Sequence, residues 1–133
     1  MIPLISVIIP VYNEEKTINK ILNLVSKIDI VSEVVIVDDC SKDASIEKIY
    51  SSIESISKQK PHLKFQFSKN ERNLGKGATI RHGFSLATCE VIVIQDADLE
   101  YDPNEYCKLI KPIADGKADV VYGSRFILSL IHI

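Results

Sequence analysis

Long apolar runs are missing from this 133-residue chain: none approaches the ~20 residues needed to cross a bilayer, so no transmembrane helix is expected within it. The first residues, Met1-Ile2-Pro3-Leu4, lack the basic region and small-residue cleavage site of a secretory signal. Cysteine is scarce: Cys40, Cys89 and Cys107 are an odd number without a CxxC spacing, which fits neither a disulfide framework nor a zinc site. A reducing cytosol is the simplest setting, with peripheral contact at the inner face of a membrane as the most the sequence allows. An excess of positive charge is absent too, since 16 Lys and Arg stand against 18 Asp and Glu, so nucleic acid is not an expected partner. Any anion site has to be built locally. There is no Walker A sequence, no GxGxxG, no internal repeat and no low-complexity linker, and His62, His82 and His132 show no ligand spacing.

What the chain does have is an ordinary globular composition, 46% hydrophobic and 26% charged, enough for one domain around one sheet. Short apolar runs alternate with stretches of helical period. Ser6-Val7-Ile8-Ile9-Pro10-Val11 reads as a buried strand ended by Pro10 and Asn13. A helix through Ile18, Ile21, Leu22, Val25 and Ile28 follows, with Asn13 as a candidate cap and Glu14 and Glu15 in its first turn. Val34-Val35-Ile36-Val37 is a second strand, and Ile46, Ile49, Tyr50, Ile53 and Ile56 mark the stripe of a second helix. Phe65-Gln66-Phe67 is a brief third strand, and a small-residue helix through Ala78, Ile80, Gly83, Phe84 and Ala87 suits close packing on a sheet. Val91-Ile92-Val93-Ile94 and Val120-Val121-Tyr122 complete five strands. Between them Asp102, Pro103, Glu105 and Gly116 punctuate a further helix whose last turn Pro112 kinks. This order predicts an α/β fold with a mostly parallel sheet and helices on both faces.

In such sheets ligands bind at the carboxyl ends of the strands, and here those ends are polar. Asp96-Ala97-Asp98 is the sharpest signal. An extended backbone aims residues i and i+2 into one space, and two converging carboxylates call for a cation. Hard oxygen ligands suit Mg²⁺ or Mn²⁺, which completes its shell with water and phosphate oxygens. Tyr12 offers an aromatic face for a base, while Glu14 and an Asp can accept hydrogen bonds from ribose hydroxyls or base N–H groups. Asp38 and Asp39 fit a binding role and a strand-end role equally, with Ser41 or Asp43 as alternative helix caps. Lys76, between Gly75 and Gly77, reads either as part of a tight turn or as a diphosphate contact. Arg125 presents a fork that can hold phosphate or join a surface ion pair.

Taken in order, Val7-Ile8-Ile9-Pro10-Val11-Tyr12-Asn13-Glu14, Val37-Asp38-Asp39-Cys40-Ser41, Asn73-Leu74-Gly75-Lys76-Gly77, Gln95-Asp96-Ala97-Asp98 and Gly123-Ser124-Arg125-Phe126 resemble the successive motifs of inverting glycosyltransferase family 2. The spacing is most similar to the branch of dolichol-phosphate mannose synthase and bacterial polyprenyl-phosphate sugar transferases. The resemblance implies a GT-A, Rossmann-like fold and a UDP- or GDP-sugar donor. It places Pro10, Tyr12, Glu14 and Asp39 around the nucleoside, Asp96, Asp98 and Glu100 at the metal, and Arg125 toward the donor diphosphate or the acceptor phosphate. It further implies transfer with inversion to a polyprenyl phosphate or a glycan. An ionised lipid phosphate needs no general base, and a membrane surface becomes a partner of the full-length protein.

Cys40 and Cys89 stand where this family usually has glycine. After Phe126 the sequence departs from the family's continuation, so residues 1–126 are expected to form the nucleotide-sugar-binding half of a GT-A domain and residues 127–133 an atypical apolar tail. Members are roughly twice this length. Donor binding with little turnover is therefore the expectation for the isolated chain. Two other classes also put carboxylates at strand ends: aspartate-nucleophile phosphoryl-transfer enzymes, with Asp96 or Asp38 attacking, and non-catalytic receiver-like or nucleotide-binding modules.

Overall fold

A computed structural model describes residues 4–98, 103–106 and 120–122. Along the chain run β1 (Ile5–Val11), α1 (Ile18–Ser26), β2 (Val31–Asp38), α2 (Ser45–Gln59), β3 (Lys64–Lys69), α3 (Lys76–Leu86), β4 (Val91–Ile94), a single 3₁₀ turn (Pro103–Glu105) and β5 (Val120–Tyr122). All strand pairs are parallel, in the order β3-β2-β1-β4-β5.

The central strands are mostly apolar, with their polar residues near the strand ends, because both faces of the sheet are covered. Ile5, Val7, Ile9 and Val11 of β1, with Val34 and Ile36 of β2, pack against Ile18, Ile21, Leu22 and Val25 of α1 and Ile49 and Ile56 of α2. On the opposite face Ile8, Val35, Val37 and Ile94 meet Ile80 of α3, with Phe84 at the margin. Each fully buried Val, Leu or Ile side chain contributes about 1.5–3 kcal/mol. Tyr50 does not join the α2 stripe as expected; it is exposed, and its ring meets Phe67 edge-on at 5.1 Å.

Two expected boundaries move for identifiable reasons. Pro10 lies inside β1, opposite Val37, and does not end the strand. Its neighbour on the same side, Ile8, receives the last bond from the β4 segment, Gln95 N–H to Ile8 O at 2.9 Å. Beyond that point the missing N–H of Pro10 removes no ladder bond. Helix α1 starts at Ile18 after Thr17, so Asn13 is not its cap and Glu14 and Glu15 are not in its first turn. Asn13 has φ 52°, a left-handed conformation that Asn tolerates well. At α2 the residue before the helix is Ala44, and it is Asp43 Oδ1 that accepts the Ser45 N–H (2.9 Å).

The amino ends of the strands carry a closed polar network. Glu33, 1% exposed, accepts from Ser6 Oγ (2.6 Å), Gln66 Nε2 (2.7 Å) and Thr88 N–H (2.8 Å), with Lys64 Nζ at 3.5 Å. Burial works to raise this carboxyl, but the hydrogen bonds outweigh it and hold the group below the usual carboxylate range. Of the further helix, Pro103 starts the 3₁₀ turn, whereas Asp102, Pro112 and Gly116 lie outside the described residues, as do 127–133.

Candidate functional site

At the carboxyl ends of β1 and β4 lies a cavity of about 420 Å³ lined by Pro10, Val11, Tyr12, Glu14, Asp39, Asn73, Gly75, Lys76, Thr79, Asp96, Ala97 and Asp98. Its position is the switch point of the sheet, where the chain winds one way through β1, β2 and β3 and the other way through β4 and β5. The size suits a small organic ligand.

The first wall is the loop after β1. Asn13 N–H donates to Ser41 Oγ (2.9 Å), Lys42 N–H donates to Asn13 Oδ1 (2.8 Å), and Glu14 N–H donates to Ser45 Oγ (2.8 Å). These bonds fasten the loop to the segment after β2 and leave Tyr12 45% exposed at the cavity edge. Glu14 is pushed up by burial and by the charges of Asp98, Asp43 and Asp96, against a hydrogen bond from Thr17 that lowers it. Burial is the main cause, and the smaller push from three carboxylate neighbours marks a negative potential that attracts cations.

The adjacent Asp38 and Asp39 separate into different tasks. Asp38 is fully buried and outside the cavity; Ser41 donates to it from N–H (2.9 Å) and Oγ (2.6 Å). Asp39 lines the cavity, and its carboxylate accepts Asn70 Nδ2 (2.8 Å), Leu74 N–H (2.8 Å) and Gly75 N–H (2.9 Å). Burial raises Asp39, yet these donors prevail and hold it below the usual range. It therefore fixes the loop that leads into α3. Gly75, at φ 95°, makes the turn that a side chain would strain, and its carbonyl accepts Thr79 N–H and Oγ1.

The second wall is the segment after β4. The strand ends at Ile94, so Asp96, Ala97 and Asp98 do not continue the extended backbone expected from their i, i+2 spacing; residues 97 and 98 form a turn. Both carboxylates line the cavity all the same. Thr17 Oγ1 sits 2.5 Å from Ala97 O and 3.1 Å from Glu14 Oε2, joining the two walls. Buried Gln95 backs the turn through Asp96 O (3.1 Å) and receives the Tyr106 hydroxyl (2.7 Å). Lys76 Nζ lies 2.5 Å from Asp96 Oδ1, so the lysine at the start of α3 crosses to this wall.

Eight sequence candidates thus meet: Pro10, Tyr12, Glu14, Asp39, Lys76, Asp96, Ala97 and Asp98. Asp38 does not, and Glu100 and Arg125 lie outside the described residues. The residue-level reading of the sequence did not single out Asn73 and Thr79 as site residues, although Thr79 is three residues after Lys76 and hence on the same side of α3. A second hollow, about 570 Å³ beside edge strand β3 and bordered by Lys69, Arg72 and His82, contains none of the candidates.

Among the described residues no group of three or more His, Cys, Asp or Glu has the arrangement of a metal cage. The oxygen pair Asp96 and Asp98 does fit Mg²⁺ or Mn²⁺, which is commonly bound by one or two carboxylates with substrate phosphates and water.

The sequence profile of Glycosyl transferase family 2 matches residues 6–129. An uncharacterized protein of Methanocaldococcus jannaschii is 37% identical over 122 residues, covering 89% of this chain and 50% of its own length. A dolichol-phosphate mannosyltransferase of Pyrococcus furiosus is 34% identical over 128 residues, 92% of this chain and 33% of that one. The chain therefore spans a third to a half of these relatives. In structure it is similar to a mannosyltransferase from Pyrobaculum calidifontis in complex with GDP-Man and Mn²⁺, with TM-score 0.72, 27% identity, and coverage of 89% of this chain and 34% of the other. The fold is that of GT-A glycosyltransferases.

Proposed function

Because the chain belongs to glycosyl transferase family 2, we propose that its cavity binds the nucleoside diphosphate of a UDP- or GDP-sugar together with Mg²⁺ or Mn²⁺. In the full-length enzyme it would serve inverting transfer to a polyprenyl phosphate or a glycan. The observation that carries this reading is the meeting of Asp96 and Asp98 with Tyr12 and Glu14 in one cavity at the switch point of the sheet. The family assignment sets aside the aspartate-nucleophile and receiver-like readings.

A divalent ion bound by Asp96 and Asp98 would supply positive charge against the negative charge that grows on the departing diphosphate. The remaining work falls to the chain itself. Tyr12 gives the base an exposed aromatic face, and Pro10 lines the same cavity. Glu14 can accept hydrogen bonds from ribose hydroxyls or base N–H groups. Asp39 holds the loop that carries Lys76, whose ammonium can meet the diphosphate. Arg125 is assigned to the donor diphosphate or the acceptor phosphate. The acceptor oxygen bonds to the anomeric carbon as the bond to the diphosphate oxygen breaks, and the nucleoside diphosphate leaves with the electron pair. With a phosphate acceptor the nucleophile is already ionised, so no proton has to be removed.

The names of two of the similar proteins support particular arms of the reading: dolichol-phosphate mannosyltransferase the lipid-phosphate acceptor, and the GDP-Man complex the guanine nucleotide. No helix among the described residues is long and apolar enough to cross a membrane. A lipid-phosphate acceptor would bring the full-length protein to the membrane surface from the cytoplasmic side. Calorimetric titration with UDP and GDP, with and without Mn²⁺, tests the proposal. Metal-dependent binding of either nucleotide supports it, and no binding of either by folded protein refutes it.

A further inference from the structure

One of the two carboxylates suited to a divalent ion already has a cation beside it, since Lys76 Nζ lies 2.5 Å from Asp96 Oδ1. The geometry points to Lys76 as the resident counter-cation of Asp96, displaced jointly by a divalent ion and a nucleotide diphosphate so that each binds well only with the other. This inference rests on the donor-binding reading above and adds to it the coupling by which the site fills.

Asp96 is 9% exposed and shares its cavity with the carboxylates of Glu14, Asp39 and Asp98. A buried carboxylate in such company needs a cation, and Lys76 provides it. A divalent ion arriving alone has to separate that pair and then faces the ammonium as a like charge. A diphosphate arriving alone finds three further carboxylates and no second cation for its charge among the described lining residues beyond Lys76. When both arrive, the ion takes over Asp96 and the diphosphate oxygens receive the ammonium, so Asp96 and Lys76 each keep an opposite charge.

The exchange needs little movement. Asp39 grips the amides of Leu74 and Gly75 (2.8 and 2.9 Å), and Gly75 O receives Thr79 N–H at 3.1 Å, so the backbone at the start of α3 is anchored. Rearrangement is confined to the lysine's flexible four-carbon stem, whose side chain is 56% exposed. By linkage, the factor by which nucleotide strengthens metal binding equals the factor by which metal strengthens nucleotide binding.

The test follows free Mn²⁺ by its paramagnetic resonance signal while the full chain is titrated, alone and with saturating UDP or GDP, each against the same nucleotide without protein. Lys76→Met is expected to bind Mn²⁺ alone about 10-fold more tightly than wild type, within the usual 5- to 150-fold range of coupled sites, and the factor by which nucleotide strengthens metal binding should shrink. Lys76→Arg, which keeps the positive charge, should retain the wild-type pattern of weak metal binding that nucleotide strengthens. Lys76→Gln repeats the comparison with a polar neutral side chain, and circular dichroism establishes that each variant is folded. Equal affinity of wild type, Lys76→Met and Lys76→Gln for Mn²⁺ alone overturns the inference. If neither UDP nor GDP binds any variant, the donor reading fails, and the metal-only comparison still decides whether Lys76 guards Asp96.

Discussion

A methyl group placed on Gly83 would stand 2.6 Å from Ile8 Cγ2. The contact joins α3 to the middle of the central strand, and Ile8 is fully buried. The clashing atom hangs on the branched Cβ of isoleucine, which has little rotamer freedom to withdraw. Gly83→Ala is therefore expected to destabilise the fold by about 1–3 kcal/mol through overpacking. Urea unfolding measures the loss, and combining the change with Ile8→Ala, which removes Cγ2, should cost less than the two single losses together. Additive losses in the double variant would refute the contact as the cause.

Cys40 occupies the left-handed region at φ 64°. A non-glycine residue there is disfavoured by roughly 1–2 kcal/mol, while glycine adds freedom to the unfolded chain. Cys40→Gly should raise the melting temperature modestly, and Cys40→Val, β-branched, should lower it. A lower melting temperature for the glycine variant would contradict the backbone argument.

The hydrogen-bonded carboxyls and Glu14 give opposite pH signatures. Asp39 and Asp43 are lowered from the usual 3.8 and Glu33 from 4.5, so their contribution is present above those values and lost as pH falls below them through the depressed folded values. Glu14 is raised above 4.5, so its favourable contribution exists only below that value and is lost as pH rises through the folded value. At neutral pH its charge is thus a burden on the folded chain. Glu14→Gln should stabilise the ligand-free protein at pH 7, with the advantage fading toward pH 4, as measured by denaturant midpoints. Unchanged stability at pH 7 would count against the negative potential of the cavity.

Asp98→Ala should leave the protein folded and abolish the gain in UDP or GDP affinity that Mn²⁺ provides. Tyr12→Ala should weaken nucleotide binding with and without metal, by the 1–3 kcal/mol typical of removing an aromatic surface from beneath a base. Calorimetry separates the two effects. Retained metal enhancement in Asp98→Ala would remove that residue from the ion.

Most of the architecture was readable from the chain because its strands are continuous β-branched runs and its helices carry apolar stripes; Val91–Ile94 and Val120–Tyr122 fall where the pattern placed them. Edge strand β3 extends beyond Phe65-Gln66-Phe67 to Lys64 and Lys69, since an edge needs no apolar run. The split between Asp38 and Asp39 could not be read, because neighbouring carboxylates look alike in sequence although successive side chains diverge in space. Besides Asn70, the donors to Asp39 are the backbone amides of Leu74 and Gly75, 35 and 36 residues away, and backbone donors leave no residue-type signature. The start of α1 is hard to read for a related reason: Asn13 suits a left-handed turn as well as a helix cap, and its long-range bonds with Ser41 and Lys42 favour the turn.

The bond between Thr17 and Ala97 spans 80 positions of sequence. Closing a flexible loop of that length costs about 4 kcal/mol in chain entropy by the (3/2)RT ln n rule. Folding of the sheet meets that cost before any ligand arrives. A nucleotide that touches Tyr12 and the Asp96 turn at once therefore lands on a surface already drawn together, and its contacts go into affinity instead of ordering.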